Sequence, residues 1–152
     1  MRNAALQRRL TTPLCLDESI TSVDKAEDML TLHSGRIVNI KPGRVGGFAP
    51  AVAIHDRCAA VGVPVWRGGM LESGIGRACN FALASLSNLL LPGDVSPSSR
   101  YWQQDIVTPE WTMDGAGMVR VQHDRTGLVV TVDRDRVENL TVRSETLVAG
   151  AG

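Results

Sequence analysis

The chain of 152 residues is 43% hydrophobic and 21% charged, a composition that is typical of a globular protein and excludes a disordered one. Its 16 basic and 16 acidic residues balance, and lysine and arginine form no dense run, so we expect no nucleic-acid binding. No apolar run is long enough to span a membrane, and residues 1–10 do not resemble a signal peptide, which predicts a cytoplasmic protein without a membrane partner.

Short apolar runs and helical patterns alternate through the first part of the chain. An opening helix is predicted at Leu6–Leu10, and a buried strand at Pro13–Leu16. The next helix has capping residues at Thr21–Asp24, and Gly35 is placed to end it. A second strand is predicted at Ile37–Ile40.

The alternation then continues towards residue 91. A helical stripe runs from Ala51 to Val61 and is followed by a strand at Val63–Trp66. A third stripe, which includes Ala82, runs from Ile75 to Leu89, and a fourth strand is predicted at Leu89–Leu91. Strands that alternate with helices predict an α/β fold with a parallel sheet. Four such strands form either an open flavodoxin-like sheet or half of an eight-stranded barrel, and periodicity alone leaves both open.

The pattern changes beyond about residue 97. Two short strands are predicted at Val119–Val121 and Leu128–Val132, joined by a turn at Asp124–Gly127. Residues 148–152 are expected to be a disordered tail.

The three cysteines, Cys15, Cys58 and Cys79, are isolated from one another in the sequence. They show neither metal-ligand spacing nor a CxxC pair. We therefore expect reduced, buried thiols.

The predicted strands end in residues that can carry chemistry. Asp17 follows the first strand, and Lys41 follows the second. A carboxylate there suits a divalent cation, and a lysine close to a cation and shielded from water loses its proton more readily. Such a pair could remove a proton alpha to a carboxylate. An aspartate after a strand is also common as a helix cap, and a loop lysine is usually solvated, so both interpretations stay open.

Six stretches of the sequence together carry a more specific pattern. They are Leu16–Ile20, Asn39–Gly47, Val65–Ala78, Pro92–Ser96, Arg100–Trp102 and Asp105–Ile106. In order and spacing they resemble the o-succinylbenzoate synthase / N-acylamino acid racemase family, which belongs to the muconate-lactonising branch of the enolase superfamily. The resemblance extends to about residue 147.

This resemblance implies the C-terminal half of a (β/α)7β TIM-like barrel over residues 1–102, with about four parallel strands. Residues 103–147 would form a segment that returns towards the family's capping domain. The implied cofactor is Mg²⁺ or another divalent cation such as Mn²⁺, and the implied substrate is a small carboxylate.

The resemblance also implies roles for residues at the strand ends. Asp17 matches a metal-ligand carboxylate, and Lys41 matches the second of two catalytic lysines. In dehydration, Lys41 would stabilise the enediolate as a cation; in racemisation it would be one of two bases. Arg44 and Asn39 would lie next to Lys41 without touching the substrate, and Arg44 would tune the properties of the lysine.

Further residues are implied around the substrate. Gly69, Met70 and Leu71 match a segment that lines the pocket for the non-reacting part of the substrate. Glu72 and Asp94 are weaker candidates, because each could equally serve the local backbone.

The implied activity is that of a lyase, an o-succinylbenzoate synthase that acts by dehydration in menaquinone biosynthesis. The same half-site would serve an N-acylamino acid racemase or a dipeptide epimerase. An alternative of another class is a non-catalytic remnant or one half of a split enzyme.

Departures from the family pattern are equally informative. The family's Lys-x-Lys strand, the Asp and Glu metal ligands on its next two strands and most of its capping domain are not in this sequence. We therefore expect a fragment that is inactive alone and needs the missing N-terminal half or a second copy. Arg67 stands where a small residue is common, and it is expected to crowd the pocket mouth.

Overall fold

Three parallel strands form the centre of the molecule. The computed structural model describes residues 2–122 and 126–147. In chain order its elements are α1 (Arg2–Gln7), β1 (Cys15–Leu16), α2 (Val23–Leu32), β2 (Ile37–Ile40), α3 (Pro42–Val45), α4 (Phe48–Ala60), β3 (Val65–Arg67), α5 (Gly74–Ala84), a 3-10 turn (Ser98–Arg100), β4 (Val107–Thr108), β5 (Thr131–Val132) and α6 (Arg134–Leu140). The strand order is β1-β2-β3, with both pairs parallel, so the predicted parallel α/β sheet is confirmed.

The two faces of this sheet have different surroundings. Alternate residues of a strand point to opposite faces, and Val38, Ile40 and Val65 are fully buried in the core that α2 and α4 cover. On the other face, Cys15 is exposed and Trp66 is half-buried. The indole Nε1 of Trp66 donates a hydrogen bond to Cys15 Sγ at 3.1 Å. One face is therefore packed, and the other is open.

Helix α2 begins as predicted but ends differently. The hydroxyl of Ser22 accepts a hydrogen bond from the backbone N–H of Lys25 at 3.2 Å. The helix stops at His33, which adopts the left-handed conformation with φ 50°, so Gly35 is not its terminator. Gly35 is required by packing instead, because a Cβ there would lie 2.9 Å from Cγ of Leu16.

The predicted fourth strand at residues 89–91 is reduced to a single parallel bridge at Leu89. Residues 89–94 run beside β3 and form two isolated parallel bridges, from Leu89 to Val65 and from Asp94 to Gly68, which directly follows β3. The stretch from Leu89 to Asp94 is two residues longer than the stretch that it faces, so it bows outward. The third helical stripe is also shorter than predicted, since α5 ends at Ala84 and Ala82 is exposed.

The C-terminal part contains a different strand pair from the predicted hairpin. β5 pairs antiparallel with β4, and Val119–Val121 forms no strand. Val119 and Val121 instead pack beside a cluster formed by Ala78, Phe81 and Trp111. Helix α6 was not predicted, and Asp133 caps it by accepting from the N–H of Arg136. Part of the predicted turn, and the whole predicted tail at residues 148–152, lie outside the described residues.

The expectation of three buried thiols is correct for one. Cys58 is fully buried against the sheet, whereas Cys79 is half-buried and Cys15 is exposed. Cys15 differs because it lies on the sheet face that no helix covers. Within residues 2–122 and 126–147, no helix is long and apolar enough to cross a membrane.

Candidate active site at the strand ends

Asp17 and Lys41 lie together where β1 and β2 end. The two strands are neighbours and parallel, and each residue directly follows its strand. Lys41 Nζ lies 3.3 Å from Asp17 Oδ2, and the two side chains are 14% and 26% exposed. The predicted proximity is therefore confirmed, whereas the catalytic and metal-binding roles stay predictions.

Arg44 completes a three-residue charge cluster around Asp17. It lies on α3, which begins with Pro42 immediately after Lys41, and its guanidinium donates to Asp17 Oδ1. Burial would raise the pKa of the Asp17 carboxyl, but the hydrogen bonds from Arg44 and Lys41 outweigh burial and hold that pKa below its ordinary value. Asp17 is thus an ionised carboxylate, and it links Arg44 to Lys41 because it contacts both side chains.

Asn39 and Gly68 bring β3 close to Lys41. Asn39 is buried, and its Oδ1 accepts a hydrogen bond from the N–H of Gly68 at 2.7 Å. A Cβ on Gly68 would lie 2.6 Å from Cε of Lys41, so only glycine allows this approach. Gly68 is a site residue that the sequence analysis missed, although a glycine at a strand end often marks such a close approach.

The segment predicted to line the substrate pocket is only partly placed at a cavity. Met70 lines a pocket of about 620 Å³, and it is 51% exposed. The pocket is bounded by Pro42, Gly43, Arg44, Gly47, Phe48, Met70, Glu72, Gly76, Cys79 and Asn80. Leu71 is 68% exposed and does not line it. Gly69 is held by a hydrogen bond from its N–H to the carbonyl of Asp94 at 2.5 Å.

The two weaker candidates contact the surrounding backbone. Glu72 accepts hydrogen bonds from the N–H of Met70 at 2.7 Å and from Nδ2 of Asn80 at 2.9 Å. The N–H of Asp94 donates to the carbonyl of Arg67 at 2.8 Å, and the side chain of Asp94 is exposed. Asp94 therefore contributes backbone hydrogen bonds at the edge of the sheet.

Arg67 does not crowd an open pocket mouth. Its side chain is fully buried, and it donates a hydrogen bond to the carbonyl of Ile40 at 2.9 Å. Since Arg67 pairs with Ile40 across β2 and β3, its side chain lies on the helix-covered side of the sheet. The expectation about Arg67 was therefore wrong.

The described residues alone do not make a magnesium site. Mg²⁺ takes an octahedral set of oxygen ligands. Within residues 2–122 and 126–147, no three His, Cys, Asp or Glu side chains come together in a group that could hold a metal ion. Asp17 offers one carboxylate and already contacts two cationic side chains. It can be one ligand among several but cannot form the site by itself.

Known proteins resemble this chain in family, sequence and fold. A family model described as "Enolase C-terminal domain-like" matches residues 1–136. An o-succinylbenzoate synthase of Geobacillus stearothermophilus is 55% identical over 139 residues, which are 91% of this chain and 36% of that relative. An N-succinylamino acid racemase of Amycolatopsis is 58% identical over 107 residues, or 70% of this chain and 29% of that relative. A crystal structure of an enolase superfamily member from Listeria innocua matches with a TM-score of 0.83 and 42% identity, over 90% of this chain and 36% of that one.

These matches favour the half-barrel over the open flavodoxin-like sheet. The matched family and the Listeria structure both belong to enolase-type proteins, and the sheet described above is parallel and covered by helices on one face. The chain spans about a third of the length of the relatives that it matches.

Proposed function

The chain belongs to the enolase C-terminal domain-like family, and on that premise we propose that it is the C-terminal part of an o-succinylbenzoate synthase-like lyase. The proposed reaction removes the alpha proton of a small carboxylate and then expels water, as a step in menaquinone biosynthesis. The observation that carries the proposal is the 3.3 Å contact between Lys41 Nζ and the carboxylate of Asp17 at the strand ends.

In this proposal, Lys41 acts as a fixed cation. Negative charge develops on the substrate carboxylate when the alpha proton leaves, and a preorganised ammonium group stabilises that charge. The proton itself would be taken by a lysine that is not in this sequence. Asp17 would contribute one ligand to Mg²⁺ or a similar cation such as Mn²⁺, with the other ligands also supplied from outside this sequence.

We propose that the chain needs a partner for activity, either the N-terminal remainder of the enzyme or a second copy. Three observations support this: the chain spans 36% of the G. stearothermophilus relative, its described residues bring no three metal-ligating side chains together, and one face of its sheet is open. We expect the purified chain alone to be inactive with Mg²⁺.

Complementation tests the proposal directly. The chain is combined with the part of the G. stearothermophilus synthase that it does not cover, and dehydration of the cyclohexadiene carboxylate substrate is measured with Mg²⁺. We expect turnover only in the combined sample, and a loss of roughly 10²–10³-fold with Lys41→Ala, the usual cost of removing one group that stabilises the developing charge. Lys25→Ala is the matched control, because Lys25 is exposed and pairs with Asp28 on the surface at 3.0 Å. Turnover by the chain alone, or full activity of Lys41→Ala, would contradict the proposal.

A second candidate is an N-acylamino acid racemase or a dipeptide epimerase. The 58% identity with the N-succinylamino acid racemase of Amycolatopsis, over 70% of this chain, favours the first of these. In this case Lys41 would exchange the alpha proton directly. Incubation of the same two-part complex with an N-succinylamino acid in D₂O separates the candidates, because only racemisation replaces the alpha hydrogen of that compound with deuterium as the opposite enantiomer forms. A complex that forms but catalyses neither reaction would favour a non-catalytic remnant.

A further inference from the structure

Arg67 is a buried charge attached to the strand end that carries Lys41. It is the last residue of β3, and its side chain is fully buried. Its Nη1 donates to the carbonyl of Ile40 at 2.9 Å, and Ile40 directly precedes Lys41. The guanidinium therefore holds the backbone immediately before the proposed catalytic ammonium group.

The other end of the guanidinium faces Glu72. Arg67 Nη2 lies 3.6 Å from Oε1 of Glu72, which also accepts from Nδ2 of Asn80 at 2.9 Å. The second oxygen of Glu72 accepts from the N–H of Met70 at 2.7 Å. Met70 lines the pocket, so this carboxylate connects Arg67 with the pocket wall.

Electrostatics make the two charged residues depend on each other. Burial lowers the pKa of Arg67 to about 10 even though Glu72 opposes the shift, so the guanidinium is charged at neutral pH. Within the described part of the chain, its Nε and Nη2 have no hydrogen-bond partner. A buried charge with so few hydrogen bonds needs a nearby opposite charge, and Glu72 supplies it.

We propose that Arg67 is a positioning residue that, through Glu72, fixes the Met70 segment relative to Lys41 and thereby determines which substrates fit. The effect on substrates rests on the function proposed above, whereas the physical link from Arg67 to Met70 does not. Arg67 touches no reacting atom in this arrangement. It acts by holding two neighbouring strand ends in one geometry.

Amide hydrogen exchange in the full chain tests the physical link without any activity. Arg67→Met removes the charge but keeps much of the side-chain volume. We expect the Met70 amide to exchange about tenfold faster, the change that loss of one hydrogen bond gives, while the amide of the core residue Val38 is unchanged. Arg57→Met is the matched control, since Arg57 is half-exposed and pairs with Glu27 on the surface. Unchanged exchange at Met70 in folded Arg67→Met would overturn the proposal.

Arg67→Lys provides a second variant should the methionine variant fail to fold. Lysine keeps the charge but lacks the fork that reaches both Ile40 and Glu72. We expect exchange at Met70 between that of the wild type and that of a variant without the link. Wild-type exchange at Met70 in this variant would count against the proposal.

Kinetics of the two-part complex test the effect on specificity. We expect Arg67→Met to raise KM about tenfold and to change kcat less than about threefold. The variant would weaken the binding of the substrate and of the transition state equally, and such a loss raises KM without lowering kcat. Since Arg67 acts through Glu72, adding Glu72→Gln to Arg67→Met should cost little more than either change alone. A fall in kcat with unchanged KM, or fully additive effects, would overturn the specificity role. A wild-type complex without turnover would count against the proposed function, and the exchange experiment would still decide the link.

Discussion

Asp17 is the residue whose carboxylate contacts both cationic side chains at the strand ends. Lys41 and Arg44 both contact its carboxylate, and these contacts outweigh the effect of burial and lower its pKa. A carboxyl whose pKa is lower in the folded chain than in the unfolded chain stabilises the fold above its ordinary value of 3.8. That stabilisation is lost as the pH falls through the lowered pKa.

The pH dependence of Asp17→Asn follows from this sign. At pH 7 the wild type should be more stable than the variant by less than about 1 kcal/mol, since the cluster is partly solvated and screened. The difference should vanish below the lowered pKa of Asp17, where both side chains are neutral. Denaturant unfolding at pH 7 and at the lowest pH at which the chain stays folded measures it, with Asp28→Asn as an exposed control. An equal difference at both pH values would refute this account.

Gly68 sets the distance between β3 and Lys41. Gly68→Ala would place a Cβ within 2.6 Å of Lys41 Cε and 2.5 Å of Asn39 Nδ2, so we expect a loss of about 1–3 kcal/mol of stability. The displaced lysine should also leave the complementation assay with reduced turnover. Gly115→Ala is the control, because a Cβ there would meet no atom of the described residues within 4 Å. Equal stability of the two variants would show that the approach is not tight.

At the scale of helices, two serines at N-caps behave differently. Ser22 caps α2 through its hydroxyl, whereas Ser73 makes no side-chain cap hydrogen bond at α5. The first N–H of α5 is instead satisfied by Oδ1 of the buried residue Asp105, 2.9 Å from the nitrogen of Gly74. The N-terminus of α5 is therefore held by a segment that is distant in sequence.

This contrast predicts the cost of removing each hydroxyl. Ser22→Ala should lower the free energy of unfolding by about 1 kcal/mol, the usual value of a cap hydrogen bond. Ser73→Ala should change it by much less, because no cap bond is lost. Thermal or denaturant unfolding of both variants provides the comparison, and a larger effect at Ser73 would contradict it.

Sequence patterns predicted the elements whose residues are buried along their whole length. The apolar run at Ile37–Ile40 predicts β2 with its observed bounds, because this strand lies between a neighbouring strand on each edge. The predicted strand at Leu89–Leu91 is reduced to one bridge despite its apolar composition, since the stretch from Leu89 to Asp94 is two residues longer than the stretch that it faces. The register between segments decides such a case, and no pattern within the stretch reveals it.

The candidate site was predicted in the same uneven way. The Asp17–Lys41 contact followed from two strand ends and a parallel sheet. The role of Arg67 did not, because only the structure shows which face of β3 its side chain occupies. The residue type alone predicts that an arginine in a strand is exposed. An arginine is buried only where a suitable partner lies beside it, and the sequence does not show that partner.

At the scale of the whole molecule, the sheet has one covered and one open face. An open face and an unpaired strand edge favour association with another chain. We therefore expect the purified chain to form oligomers or aggregates, measured by size-exclusion chromatography with light scattering. The complementing N-terminal part should shift it to a defined complex, and a stable monomer at high concentration would contradict this prediction.

The contact between Trp66 and Cys15 gives the open face an optical signal of its own. Indole fluorescence responds to solvent polarity and to a nearby thiol, and this indole is half-buried beside an exposed sulfur. A chain that docks on this face should shift the emission of Trp66 to shorter wavelength, and Trp66→Phe should remove the shift. The tryptophan thus works as a built-in reporter from which the affinity of barrel completion can be titrated.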